Sequence, residues 1–546
     1  MKKPYIQEAI RLKRLLFILL LLCLLVGCAV QPAEETTAEP EQTQTHEFNL
    51  NQQTRQTPKG FGLAYVEEYG FNPYACTCIT NRPVFSLVYE SLFVLNNRFQ
   101  PEPVLCDRFA VSEDGKTCLF TLCEGVTFSD GTALTAKDVV ASLNAARDSA
   151  YYGSRFSKVG QFIARDERTV EITLTRAYEN LPLLLDVPVV KAGTVTAERP
   201  LGTGPYAFAE DGTRLCLRRN RSWWQDNRAP VEYDTILLTA AKDSTAVRDS
   251  FEFGDTALVC VDLNAPNAVG YRCDYELWDG PTTSFQYLGF NLNGGAFYKR
   301  ELRAAVTHLM DRETLIASVY KGFGEATCLP CPPNSPFYDS TLAQDYAYDP
   351  EAFGVALREA AIPADYTATL LVSSAEPSRT ELARRIAETL TQAGLRTDVK
   401  TVDEETYRSR LSAGSFDLFI GEVRLSGNLD LTEFFRAYGS LCYGGIRSAN
   451  MEQLCYDALE NSGNCYDLYR GIMENGYFCP LMFKSCAVMA NRGVVGSLQP
   501  AVDYIFHVPG GRSLSEAIIS YEEMTASGTE VPEETENPEN TEENEP

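Results

Sequence analysis

A chain of 546 residues exceeds what one hydrophobic core organises, so two or three lobes are expected. Hydrophobic residues at 45% and charged residues at 22% are those of a globular protein. The formal net charge of -26 at pH 7 argues against a nucleic-acid partner and leaves no broad basic face for anionic lipid.

The N-terminus differs from the rest. Lys2, Lys3, Arg11, Lys13 and Arg14 precede an apolar run from Leu15 to Val26. The run is too short to span a bilayer comfortably, and its basic flank fits a secretory signal over residues 1–27. It closes on Leu25-Val26-Gly27-Cys28, which resembles the bacterial lipobox. That resemblance implies cleavage before Cys28, lipidation of Cys28 and a tether to the outer face of the cytoplasmic membrane. Residues 28–47, rich in Glu, Thr, Gln and Pro, read as a disordered tether, and residues 521–546 as an acidic disordered tail. Of 17 cysteines, Cys23 lies in the signal and Cys28 is the lipid site. The remainder is odd in number and shows no small-domain disulfide framework.

Between these ends strands and helices alternate. Phe71-Asn72-Pro73-Tyr74 marks a turn. Ala110 to Leu122, with Asp114-Gly115 at its centre, reads as a β-hairpin. The stretch Phe120–Leu143 is the best specified of all. It contains a strand, an Asp130-Gly131 turn, and a helix with Thr135 at the N-cap, Asp138 at capping-box spacing and Leu134/Val139 as a hydrophobic staple. Val170, Ile172 and Leu174 alternate as a half-buried strand. Glu301 to Tyr320 is helical, with a restart cap at Asp311. Residues 367–421 read as βαβαβ: a strand at Thr369–Val372, a helix capped at Ser378 with Glu381 in box position, a strand at 397–402, a helix at 403–413 and a strand at 416–420. In such a parallel lobe ligands sit at the carboxyl ends of the strands.

Several segments together resemble one family. Val88-Tyr89-Glu90-Ser91-Leu92, Ser112-Glu113-Asp114-Gly115-Lys116, Gly125 to Gly131 and Ala136-Lys137-Asp138-Val139 are followed in order by Gly202-Thr203-Gly204-Pro205-Tyr206, Asn220 with Trp223-Trp224, Phe290-Asn291, Arg303 to Val306 and Tyr348-Asp349-Pro350. The set is similar to the family 5 extracellular solute-binding proteins, the dipeptide, oligopeptide and nickel receptors of ABC importers. The resemblance spans roughly residues 60 to 510. It implies an α/β clam shell of the type II periplasmic-binding-protein kind, two lobes with a hinge plus an inserted domain. Domain I would comprise 48–75, 195–283 and 488–520, domain II 76–194 and domain III 284–487. It also implies ABC permease subunits as partners, and a peptide or related small solute as cargo.

In peptide-binding members an Asp beyond the third-lobe strand pairs with the peptide amine. Aligning Asp430 and Phe434-Phe435 with the family pattern puts Gly427 at that position and Arg424 where several relatives carry an aromatic residue. Both departures count against an ordinary dipeptide receptor. In the loop Glu422–Asp430, which includes Ser426, Glu422 could neutralise a cation and Arg424 could hold a carboxylate bidentately, or both could face solvent or each other. Tyr74, Trp278, Ser284 and Tyr443 are further cleft candidates because they lie near domain crossings or loop ends.

Other chemistries find little support. The three histidines, His46, His308 and His507, are widely separated, and Cys76-x-Cys78 and Cys328-x-x-Cys331 are isolated pairs lacking the second half of a zinc site. No metal or cofactor is expected. There is no Gly-x-Ser-x-Gly elbow, no P-loop and no histidine beside a plausible nucleophile, so an exported enzyme is the weakest alternative. A solute sensor with the same fold and no transport role is the other.

Overall fold

The computed structural model describes residues 60–225, 228–261, 271–496, 498–501, 505, 506, 508 and 510–526. The expected signal, the lipid site Cys28, the tether, His46, His507 and residues 527–546 lie outside the described residues. The chain divides into Met1–Gln44 and Thr45–Pro546, and everything below concerns the second unit. No helix among the described residues is long and apolar enough to cross a membrane.

Among the described residues the first strand is β1 (Gly62–Val66), and a small hairpin of β2 (Phe93–Leu95) and β3 (Pro101–Pro103) follows. A separate antiparallel sheet follows, built from β4 (Cys106–Val111), β5 (Thr117–Leu122), β6 (Val159–Ala164) and β7 (Thr169–Leu174) in the order β4-β5-β7-β6. The chain then returns beside β1 with β8 (Tyr206–Asp211), β9 (Arg214–Arg219), β10 (Thr235–Ala241) and β11 (Leu258–Val261). The long β12 (Tyr275–Phe290) leads to the short β13 (Gly324–Ala326) and the parallel strands β14 (Ala368–Ser373), β15 (Thr397–Val402) and β16 (Leu418–Arg424). A second long strand, β17 (Phe478–Asn491), closes the set. Among the described residues these strands make an eleven-stranded sheet, ordered β15-β14-β16-β12-β17-β11-β1-β10-β9-β8, with β13 on β17.

The capped helix forms as its sequence dictates. The Asp138 carboxylate accepts from the Thr135 N–H at 2.9 Å and from its hydroxyl at 2.6 Å, opening the helix Ala136–Arg147. A second Asp138 oxygen accepts from the Ala192 N–H at 2.9 Å, anchoring the helix start to a distant loop. Ala136, Val139, Leu143 and Ala146 fall on one helical face and share a core with Phe120, Val170 and Ile172 of the four-stranded sheet.

The βαβαβ unit is present, and its period-two alternation sorts side chains onto two faces. Leu370, Val372, Leu418 and Ile420 pack with Leu382, Ile386 and Leu390 on one face, while Leu371 and Phe419 pack with Tyr407 and Leu411 on the other. Asp311 caps the helix Arg312–Val319, and Asp403 caps Glu404–Ala413. One expected cap is corrected. The helix spans Pro377–Gln392 with Glu376 at the N-cap, so Ser378 lies inside it and does not start it. Proline suits the first helical position because its missing N–H has no partner there anyway. Glu381 instead pairs with Arg384 and Arg385 along the helix surface. A second correction concerns the tail. Tyr521–Ala526 is helical, and its Met524 is buried against Ala110 and Leu119.

Three of the distant sequence motifs meet at one buried carboxylate. Glu90 accepts from the Thr203 hydroxyl at 2.7 Å, from the Trp223 indole N–H at 3.0 Å and from the Trp224 indole N–H at 3.1 Å. Burial pushes the Glu90 carboxyl up to about 7, with the three donors partly offsetting it. The motifs at 88–92, 202–206 and 220–224 are thus parts of a single joint.

Candidate functional site

The two long strands β12 and β17 link the halves of the large sheet, and their pairing is interrupted between Pro281 and Phe285. Proline withdraws a ladder donor there, and the irregularity turns side chains out of the regular pleat. Gly280, just before it, lies so close to the Pro500 carbonyl that a Cβ would stand 2.4 Å from that oxygen. Beside this break is a cavity of about 140 Å³.

Its wall is assembled from well-separated parts of the chain. Arg82 and Tyr151 come from the stretch expected as domain II, Thr282 and Pro500 from domain I, and Ser284 and Arg424 from domain III. Ser284 and Arg424 are directly opposite each other on β12 and β16. The Arg424 guanidinium carbon lies 4.4 Å from the centre of the Tyr151 ring, and its Nη1 donates to the Tyr151 hydroxyl. The Arg82 guanidinium lies 3.9 Å from the same ring. Tyr151 therefore carries two cation–π contacts, an arrangement that holds both guanidinium planes in place.

The other sequence candidates occupy different places. Glu422 accepts from the Gln286 side-chain amide at 2.8 Å and forms ion pairs with Lys484 at 3.3 Å and Arg379 at 3.6 Å. Gln286 in turn accepts from the Tyr320 hydroxyl at 2.7 Å. Tyr74 is buried, its hydroxyl donating to the Pro188 carbonyl at 2.7 Å, and burial raises that phenol well above its ordinary pKa. Trp278 is buried in the main core. Tyr443 is half-buried edge-on to Phe419 at 6.2 Å. The Ser426 hydroxyl donates to the Asn428 side chain at 2.6 Å. Of the seven proposed ligand contacts, the structure brings Ser284 and Arg424 together at the cavity.

Gly427 has a physical reason. A Cβ there would stand 2.5 Å from the Leu183 carbonyl oxygen and 2.7 Å from a Leu95 methyl. No aspartate fits at this position without moving the backbone it touches. The same loop carries Asn428, whose side-chain amide donates to the Tyr178 hydroxyl at 2.6 Å. Further along, Ser462 donates its backbone N–H to Glu179 at 2.7 Å, and the Arg176 guanidinium lies 4.0 Å from the Tyr456 ring centre. The stretches 76–194 and 284–487 are therefore held together by several polar contacts as well as by Arg424 on Tyr151.

Arg82, Tyr151 and Thr282 escaped the sequence reading. Tyr151-Tyr152 follows a helix with no motif around it, and Arg82 opens a helix whose face cannot be assigned from pattern alone. Among the described residues, no group of three or more His, Cys, Asp or Glu side chains is placed to hold a metal ion.

A family model, "Bacterial extracellular solute-binding proteins, family 5 Middle", matches residues 100–441. The chain is 23% identical over 347 residues to the glutathione-binding protein GsiB of Escherichia coli, covering 61% of this chain and 67% of that one. It is 24% identical over 474 residues to heme-binding protein A of Haemophilus influenzae, covering 79% and 84% respectively. The crystal structure of the ABC transporter substrate-binding protein CtaP of Listeria monocytogenes superposes with a TM-score of 0.68 at 18% identity, over 84% of this chain and 99% of that one. The mixed α/β architecture is that of the type II periplasmic binding proteins. With its own motifs in order and the family model matched over more than half its length, the chain belongs to the family 5 bacterial extracellular solute-binding proteins, the substrate-binding components of ABC importers.

Proposed function

We propose that this protein is a lipid-anchored receptor on the outer face of the cytoplasmic membrane, which captures a peptide or peptide-like small solute and delivers it to ABC permease subunits. The observation that carries this reading is the cavity itself, with walls drawn from all three expected domains. A solute held there contacts each domain at once, so its binding energy favours the arrangement in which they touch. Domain I at 48–75, 195–283 and 488–520, domain II at 76–194 and domain III at 284–487 are part of the same proposal.

Within the cavity Arg424 is the intended carboxylate contact, steadied by Tyr151, with the Ser284 and Thr282 hydroxyls beside it. Glu422 is matched by Lys484 and Arg379 and serves to hold the end of β16 in place. A space of about 140 Å³ is small beside the roughly 300–1,000 Å³ of ordinary ligand pockets, which favours a compact solute over a long peptide. Relatives named for glutathione and for heme share the scaffold, in keeping with a cargo chosen by the cavity wall.

A thermal-shift screen over short peptides, amino-acid derivatives, opines, sugars and nickel chelates tests the reading. A true cargo at 100 times its Kd adds about 2.7 kcal/mol and raises the melting temperature accordingly. A flat response across the screen, with no permease recovered with the protein, would overturn it. Anchoring is tested separately: Cys28→Ala is expected to leave the membrane fraction and appear in the soluble one.

A further inference from the structure

Two thiols stand in the wall of the same cavity. Cys260 lies on β11 and Cys486 on β17, neighbouring antiparallel strands in which Cys260 is opposite Val488. Cys486 is two residues from Val488 and therefore on the same face of the sheet as that residue's side chain. The two Sγ atoms are 3.1 Å apart, about 1 Å beyond the roughly 2.05 Å of a disulfide bond. Cys260 is buried and Cys486 half-buried, so a small molecule entering the cavity reaches Cys486 first.

We propose that Cys260 and Cys486 form a redox-active dithiol, which a low-molecular-weight disulfide oxidises to a cross-strand disulfide. The Cys486 thiol gives up its proton and attacks one sulfur of the reagent RSSR. This forms a protein–SR mixed disulfide and releases RS⁻, which takes a proton to become RSH. The Cys260 thiol then loses its proton, attacks Sγ of Cys486 and expels the second RS⁻, also protonated to RSH. Two protein thiols are oxidised and one RSSR is reduced to two RSH. The product ties β11 to β17 beside the β12 break, where Gly280 is opposite Cys486, and replaces two S–H groups in the cavity wall with an apolar S–S bridge. Exported proteins meet the oxidising conditions that this exchange requires.

The test uses the full chain, fully reduced and then incubated with hydroxyethyl disulfide. Remaining thiols are alkylated and the protein is digested for mass spectrometry. The expected result is one cross-linked species containing the Cys260 and Cys486 peptides, two hydrogens lighter than their sum and separated again by dithiothreitol. In Cys260→Ser the expected product is a hydroxyethylthio adduct on Cys486. Recovery of both cysteines alkylated after treatment overturns the proposal, as does a stable adduct on Cys486 of the wild type with Cys260 still alkylated. The wild-type measurement decides the matter by itself if the serine variant does not fold. It is also indifferent to whether a cargo has been found, so its failure leaves the receptor reading standing.

Discussion

The indole N–H of Trp223 donates to the carboxylate of Glu90 across 133 residues of sequence, at 3.0 Å. With Trp224 and Thr203 donating to the same group, the Glu90 carboxylate is held by three neutral donors in a buried site. That makes the joint sensitive to protonation and intolerant of truncation.

Because the folded-state pKa of Glu90 is raised, from 4.5 to about 7, its contribution to stability is fully present below pH 4.5. It is lost progressively as pH rises to about 7. The loss amounts to something on the order of 3 kcal/mol, at 1.36 kcal/mol per unit. Glu90→Gln keeps an acceptor for the indoles, and its amide can donate to the Thr203 hydroxyl. Urea unfolding at pH 5 and pH 8 is expected to show a smaller pH dependence for Glu90→Gln than for the wild type. Glu90→Ala orphans the buried donors and is expected to cost about 2–5 kcal/mol at either pH.

Gly427→Asp is expected to destabilise rather than to restore an amine site. Its Cβ collides with the Leu183 carbonyl, and overpacking of this kind costs about 1–3 kcal/mol. Thermal melting of Gly427→Ala separates the steric cost from the charge: the alanine variant should already lose most of the stability.

Lys484→Met removes a cation shared by Glu376 and Glu422 at 3.3 Å each. Although burial raises the Glu376 carboxyl, Lys484 and Arg379 beside it bring it below its ordinary value. Its stabilising contribution is therefore present above the unfolded value near 4.5 and lost as pH falls through the folded value. Breaking such a partly buried pair is expected to cost about 2–4 kcal/mol at pH 7 and less in acid, as the Glu376 carboxylate takes up its proton. Denaturant titrations at pH 7 and pH 4 measure both.

Thr135→Ala removes one half of the capping box and is expected to cost about 1 kcal/mol, read as a lower melting temperature with unchanged solute binding.

What could be read from sequence divides along contact range. The Thr135/Asp138 box, the Asp311 cap and the strand at Thr369–Val372 are decided by neighbours within a few residues, and the structure carries them as expected. Ser378 went astray because two local signals competed, and Pro377 at the first helical position decided the start. The cavity was only partly legible. Ser284 and Arg424 stood out near an expected domain crossing and in an altered loop, but Tyr151 joins Arg424 across 273 residues and Arg82 across 69, and no periodicity encodes such meetings. Conversely Tyr74 and Trp278, chosen for their places in sequence, are buried aromatics whose positions reflect packing.

The most direct test of solute capture between the three expected domains is calorimetric titration of a screened cargo into the wild type and into Ser284→Leu, which narrows the cavity without touching the Glu90 joint. The predicted result is a loss of affinity of at least tenfold, about 1.4 kcal/mol, with the melting temperature of the cargo-free protein retained. Undiminished binding by Ser284→Leu would contradict the placement of the site.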